Sequence, residues 1–180
     1  MNCSYNHARY PNRRGILAGL GGIALLSATT APLAARVLPD DERFMRMAID
    51  EARQADYPFG TVIVREGQVI ARGHNLGRTN DDPTAHGEMV AIRHGLADHG
   101  SAAMRGSTLY TSGEPCPMCM GAILWCGFGR LVYAASIDQL AAKMDQIMVS
   151  SAELRARALF VPLSITGGVL ADEAMALFGK

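Results

Sequence analysis

Two short fragments constrain this chain more than any other feature. The first is His-Gly-Glu at residues 86–88, and the second is Pro-Cys-Pro-Met-Cys at residues 115–119. Each lies at or near the start of a predicted helix, and Cys116 follows Glu88 by 28 positions. An imidazole and two thiols are the ligand types that zinc prefers. If they share one ion, the fold must direct two helix starts, distant in sequence, to a single point.

The spacing inside the fragments predicts a catalytic zinc site rather than a closed one. Cys116 and Cys119 are three positions apart, so a helix places both sulfurs on one side, where its positive end favours thiolates. With His86 they give three ligands for one Zn²⁺ per chain, and the fourth position is left to water, whose pKa falls toward about 7. Glu88 lies two residues beyond the histidine and is the predicted general acid–base catalyst, which carries a proton from that water to a substrate nitrogen.

Either fragment alone is weak evidence. The C-x-x-C pair could be an exported redox disulfide, but this reading leaves His86 and Glu88 unexplained, and a structural zinc would make Glu88 incidental. Together, in this order, the fragments match the H-x-E…P-C-x-x-C signature of zinc-dependent nucleobase deaminases.

The remaining pattern predicts an α/β domain with a mixed sheet covered on both faces. Apolar residues make up 49% of the chain and charged residues 19%, which excludes a disordered chain or a coiled coil. Asp82 is a suitable helix cap, with Pro83 at the first helical position. The predicted helices cover residues 40–55, 82–98, 115–126 and most of 138–159, and a last short helix follows a break at 167–170. The predicted strands cover 61–64, 69–73, 107–111 and 131–135, and the first two are joined at Glu66-Gly67.

Residues 1–35 read as a targeting segment, which leaves residues 36–180 as the domain. Arg13 and Arg14 precede a short, glycine-containing apolar run, which resembles a twin-arginine export signal. We therefore expect a periplasmic protein that meets the membrane only through this signal; an uncleaved N-terminal anchor is the alternative. The domain has 14 basic and 17 acidic residues, and this weakly acidic balance disfavours a nucleic-acid partner.

Longer stretches around the two fragments resemble the cytidine/deoxycytidylate deaminase superfamily. They are Pro-Phe-Gly, Gly-His-Asn, the residues leading into His-Gly-Glu, the run into the cysteines, and Val-Tyr-Ala-Ala, at residues 58–60, 73–75, 82–88, 109–119 and 132–135. The resemblance implies a three-layer α/β/α fold with a central five-stranded mixed sheet, and a homodimer or larger homo-oligomer. It also implies hydrolytic removal of an exocyclic amine, with release of ammonia.

Within that superfamily the sequence is most similar to bacterial guanine deaminases and tRNA adenosine deaminases. Trp125, after the cysteine helix, resembles guanine deaminases and implies a small-molecule purine or related amino-heterocycle as substrate. By this resemblance Asn75 hydrogen-bonds the base, and Phe59 and Trp125 wall the pocket. Guanine deaminases carry an acidic pair for proton shuttling and a C-terminal tyrosine; here Asp145 is the one candidate shuttle, and the tail has no tyrosine.

Three alternatives stay open on the motifs. Cytosine, a free nucleoside or another amino-heterocycle could be the substrate. A tRNA adenosine deaminase would need a basic surface and cytoplasmic residence. A non-catalytic zinc-binding module would bind metal and release no ammonia from any amino-purine or amino-pyrimidine.

Overall fold

The computed structural model describes residues 36–179. The predicted export signal, residues 1–35, lies outside these described residues. In chain order the elements are α1 (Asp41–Ala52), β1 (Gly60–Arg65), β2 (Gln68–His74), α2 (Gly87–His99), α3 (Ser101–Met104), β3 (Thr108–Gly113), α4 (Pro117–Cys126), β4 (Arg130–Ala135), α5 (Ile137–Ala141), α6 (Ser151–Arg157), β5 (Ser164–Thr166), α7 (Ala171–Met175) and a final 3₁₀ turn, Ala176–Gly179. Within the described part of the chain, none of these helices combines the length and the apolar character that crossing a membrane requires.

The strands form one mixed sheet in the order β2-β1-β3-β4-β5. β1 pairs antiparallel with β2 and with β3, whereas β3, β4 and β5 run parallel. The β1–β2 turn is the predicted hairpin, and both turn residues have positive φ, 51° at Glu66 and 75° at Gly67. The predicted five-stranded mixed sheet is confirmed.

Helices cover both faces of this sheet because its strands alternate buried side chains between two cores. Val62 and Val64 of β1 pack with α1 and α7, in a core that includes Phe44, Met45, Ile49, Tyr110, Val132 and Ala174. Ile63 of the same strand faces the opposite core, which contains Ala91, Ile92, Met104, Leu109, Met120, Ile123 and Leu131. The predicted α/β/α layering is therefore confirmed.

One edge of the sheet gathers the strand ends that matter for function. β3 ends at Gly113, which pairs with Ala135 at the end of β4. The amide of Gly60, where antiparallel β1 begins, donates to Ser112 Oγ at 3.0 Å. Gly60 also pairs with His74 at the end of β2, so the segments entering and leaving these four strands meet at this edge.

Two predicted helices differ from the structure. The helix expected from Asp82 begins instead at Gly87, because the Asp82 carboxylate accepts the amide of Thr84 at 2.8 Å and so closes a local turn. Residues 138–159, expected to be mostly helical, contain only the short α5 and α6, separated by the non-helical segment 142–150. Separate Ser-based capping boxes start these two helices.

The fifth strand has no signal in the sequence pattern. β5 is three residues long and is the outermost strand of the sheet, next to β4. Only its pairing with β4 makes it a strand.

Candidate metal centre

The three predicted ligands meet beside the end of the sheet at which β2, β3 and β4 end and β1 begins. His86 Nδ1 lies 3.6 Å from the sulfur of Cys116 and 3.6 Å from the sulfur of Cys119. The two sulfurs are 3.7 Å apart, and both cysteines are free thiols. This separation excludes a disulfide, whose sulfurs are about 2.05 Å apart.

These separations are those of a tetrahedral zinc site. With Zn–S bonds of about 2.3 Å and Zn–N bonds of about 2.0–2.1 Å, tetrahedral angles put two sulfurs about 3.8 Å apart and a sulfur and a nitrogen about 3.6 Å apart. The observed 3.7, 3.6 and 3.6 Å agree with these values. The residues therefore fit a zinc ion held by one nitrogen and two sulfurs.

Helix starts position the ligands, as the sequence indicates. His86 and Cys116 are the N-cap residues of α2 and α4, and both have extended backbone, with ψ of 156° and 166°. Pro117 occupies the first turn of α4, where its fixed φ suits a helix start. Two positive helix ends thus converge on the cluster and favour the thiolate forms.

Two glycines allow α2 to come close enough to deliver His86. A Cβ on Gly73 of β2 would overlap the backbone nitrogen of Ala91 and lie 2.7 Å from the carbonyl oxygen of Gly87. A Cβ on Gly87 would lie 2.8 Å from the carbonyl oxygen of Phe59. Backbone atoms of α2 and β2 therefore pack directly, and no larger residue fits at either position.

Glu88 supplies a buried carboxyl group that contacts this cluster. It is 3% exposed, and its carboxyl group hydrogen-bonds the Cys119 side chain. Burial raises the pKa of Glu88 to about 7. The structure thus brings together all four residues predicted to bind metal and move protons.

The two thiols are electrostatically unequal. The hydrogen bond between the sulfurs lowers the pKa of Cys116 to about 4, whereas the same hydrogen bond, together with burial, raises the pKa of Cys119. The hydrogen bond to Cys116 also raises the pKa of His86. One thiolate is therefore favoured in the cluster even without a cation.

Asn75 and Phe59 lie beside the same sheet edge. Asn75 is 4% exposed, and its Oδ1 accepts the amide of Gly77 at 3.0 Å. Its own backbone amide donates to the carbonyl of Phe59 at 2.9 Å. The Phe59 ring packs edge-on against Phe178 with centroids 5.4 Å apart, so the C-terminal turn covers one side of it.

Trp125 and Asp145 are not brought into this cluster. Trp125 is 70% exposed and stacks on Phe160 with ring centroids 5.0 Å apart. Asp145 is exposed in the 142–150 segment, and among residues 36–179 no hydrogen bond or ion pair joins it to the cluster. Their roles as pocket wall and proton shuttle remain predictions.

Comparison with known proteins agrees with this geometry. Residues 38–135 match the model of the cytidine and deoxycytidylate deaminase zinc-binding region. The chain belongs to this deaminase family. It is 50% identical to guanine deaminase from Bacillus subtilis (strain 168) over 78 residues, 43% of this chain and 50% of that protein. It is 39% identical to tRNA-specific adenosine deaminase from the same organism over 102 residues, 54% and 63% of the two chains. The match thus spans between half and two thirds of the length of these two relatives.

The fold of this deaminase-family chain is shared with a solved guanine deaminase from Nitrosomonas europaea. The TM-score is 0.65 at 26% identity, covering 79% of this chain and 85% of that one.

The sequence pattern does not point to two features of this metal centre. One is the pair Gly73 and Gly87, whose importance depends on the distance between α2 and β2. The other is Glu114, which directly precedes the Pro-Cys-Pro run and is buried. A carboxylate at the end of a buried strand is the signal that could have drawn attention to it.

Proposed function

We propose that this protein is a zinc-dependent hydrolytic deaminase of a free purine-type nucleobase or nucleoside, with a preference like that of guanine deaminase. One observation carries the proposal: a buried carboxyl group, Glu88, hydrogen-bonded within a His/Cys/Cys cluster of tetrahedral zinc dimensions. A closed structural zinc site has four protein ligands and no need for a buried acid beside them.

The residues divide the chemistry between them. His86, Cys116 and Cys119 would hold zinc, which supplies Lewis-acid activation of the attacking water. Glu88 accepts a proton from that water and delivers it to the ring nitrogen beside the amine-bearing carbon. The oxygen of the water bonds to that carbon. Glu88 then moves the proton of the new hydroxyl group to the amine, the C–N bond breaks, ammonia leaves, and the carbon keeps the oxygen as a carbonyl group.

Asn75 supports recognition of an acceptor on the base. Its Oδ1 accepts the amide of Gly77, and its side-chain NH₂ group is the donor that it can offer to a ligand. An NH₂ donor selects a carbonyl oxygen or an unprotonated ring nitrogen, and guanine offers both. The similarity to guanine deaminase supports this substrate class, and the 14 basic against 17 acidic residues after position 35 disfavour tRNA.

The decisive experiment measures ammonia release by purified, zinc-loaded protein. The panel contains guanine, adenine, cytosine, their nucleosides and amino-triazines, with a tRNA substrate assayed separately for inosine. Release from amino-purines supports the proposal, and release only from pyrimidines or inosine only in tRNA would favour those alternatives. Stoichiometric zinc with no product on any substrate would identify a non-catalytic binding module.

Glu88→Gln tests the assigned proton carrier. We expect kcat to fall by about 10²–10⁴-fold while the protein retains one zinc per chain. Glu66→Gln, at the exposed hairpin tip, is the matched control. Wild-type turnover in Glu88→Gln on every active substrate would contradict the role.

We also propose that α4 forms the contact between two copies of the chain. The helix has no charged residue in its ten positions, and its outer side exposes Met118 and Trp125 to 37% and 70%. Gly121 lies between them with open space around it, which allows close approach of a second helix, and Phe160 extends the patch. We expect Trp125→Glu to be a monomer when its mass is measured by light scattering. The control Val37→Glu, whose site is exposed elsewhere on the surface, should keep the mass of the wild-type assembly. An unchanged mass in Trp125→Glu would count against this interface.

Export remains a proposal that depends on Arg13 and Arg14. We expect the protein in the periplasmic fraction, with residues up to about 35 removed. Replacing both arginines with lysine should retain the protein in the cytoplasm. An intact N-terminus in the membrane fraction would favour the uncleaved anchor instead.

A further inference from the structure

Glu114 joins the loop that carries the cysteines to two helices that follow later in the chain. It is 6% exposed. One carboxylate oxygen accepts the amide of Ile137 at 2.9 Å, and the other accepts the amide of Ser151 at 2.8 Å. Its backbone amide donates to the carbonyl of Ala135 at 2.7 Å, so both its backbone and its side chain are fixed.

The two amides are among those that the serine capping boxes of α5 and α6 leave without a partner. The first turn of any helix has donors with no intrahelical acceptor. At α5 and α6 the capping serines, Ser136 and Ser150, accept the amide at the third helical position. Ile137 and Ser151 occupy the first helical position of each helix. Glu114 therefore completes the caps of both helices with one side chain.

The chain between Glu114 and Cys116 has little freedom to absorb a displacement. Pro115 has a fixed φ and restricts Glu114 to extended backbone, and Pro117 does the same to Cys116. Cys116 accordingly has φ of −62° and ψ of 166°. A shift of the Glu114 carboxylate is therefore transmitted to the Cys116 sulfur.

We propose that Glu114 is a positioning residue of the metal centre, which holds Cys116 at ligand distance by anchoring its loop to the first turns of α5 and α6. A carboxylate has two oxygens, and each of them can accept one of the two amides. Glutamine has the same shape, but its NH₂ group would face one of the two amide donors. The inference rests on zinc binding at His86, Cys116 and Cys119, and it does not depend on which base is deaminated.

Glu114→Gln tests the proposal through zinc affinity, measured by chelator competition on folded protein. We expect a loss of about 10–100-fold, as for other groups that orient metal ligands. The control is Ser150→Ala, which removes the α6 cap and lowers Tm while leaving the Glu114 hydrogen bonds in place. Its zinc affinity should match that of wild type.

The comparison separates positioning from general stability. If Glu114→Gln and Ser150→Ala lower Tm alike and both bind zinc as tightly as wild type, the proposal is overturned. If Glu114→Gln does not fold, Glu114→Asp takes its place, since it keeps the charge but is one methylene too short to reach both amides. A wild-type zinc affinity in Glu114→Asp would likewise overturn the proposal, and neither result would bear on substrate identity.

Discussion

Gly73 controls how close α2 lies to the sheet, and enlarging it should damage the metal centre without touching a ligand. In Gly73→Ala the new Cβ would lie 2.7 Å from the Gly87 carbonyl oxygen and 2.9 Å from the Ala91 Cα. Ordinary van der Waals contact begins near 3.4 Å, and the backbone nitrogen of Ala91 lies closer still, so α2 must move away by more than about 0.7 Å. Both neighbours are backbone, and no side-chain rotation can relieve the overlap.

The displacement has two measurable consequences. Overpacking of this kind costs about 1–3 kcal/mol, and we expect the upper end because the helix must move as a unit. For a domain of this size about 3 kcal/mol lowers Tm by roughly 10 °C. His86 and Glu88 move with α2, and a shift approaching 1 Å in a catalytic group costs on the order of 10²-fold in turnover.

Calorimetry, zinc titration and turnover test this reasoning on matched variants. Gly95→Ala is the control, because it lies on the same helix but meets mainly the Met104 side chain, at 2.9–3.0 Å, which can rotate away. Its Tm should change by only a few degrees and its zinc affinity should be unchanged. A Gly73→Ala protein with wild-type Tm and zinc affinity would refute the argument that backbone contact sets the position of His86.

Two further predictions concern stability. Asp41 is fully buried and accepts hydrogen bonds from Arg130 at 2.6 and 2.8 Å and from Tyr110 at 3.0 Å, so Asp41→Asn should cost about 3 kcal/mol by leaving Arg130 uncompensated. Burial opposes ionisation of Asp41, but hydrogen bonds from Arg130, the Leu38 amide and Tyr110 outweigh it and lower its pKa. The stabilisation by ionised Asp41 is therefore complete above the pKa of about 3.9 of an unfolded-chain carboxyl group. It is lost as the pH falls through the lower pKa that Asp41 has in the folded protein. In unfolding measurements as a function of pH, Asp41→Asn should lack this loss of stability at acid pH. Removing zinc should lower Tm by roughly 8 °C when free zinc stands at about 100 times its Kd, a stabilisation of about 2.7 kcal/mol, and Cys119→Ala should show no such chelator response.

Much of the site follows from local sequence because its parts are local. The cysteine pair and its proline define a helix start within five residues, and the structure begins α4 there. Gly67 favours a hairpin turn because such a turn needs positive φ, which glycine adopts readily, and Glu66 beside it adopts positive φ as well. The prediction at Asp82 is wrong because an aspartate side chain suits a helix cap and an isolated turn equally well. In the structure Asp82 closes a turn with Thr84, and the helix begins only after His86.

The sequence by itself determined the chemistry: one imidazole, two thiols and an acid in the order of a deaminase signature, on helix starts. Tertiary structure alone decided that their atoms lie at zinc distances, that Gly73 and Gly87 permit the approach, and that Glu114 completes two distant helix caps. It also placed Trp125 on an exposed helix face. The physical reason is that side-chain type and backbone preference are written residue by residue. Contact distances, in contrast, depend on how whole helices pack against the sheet.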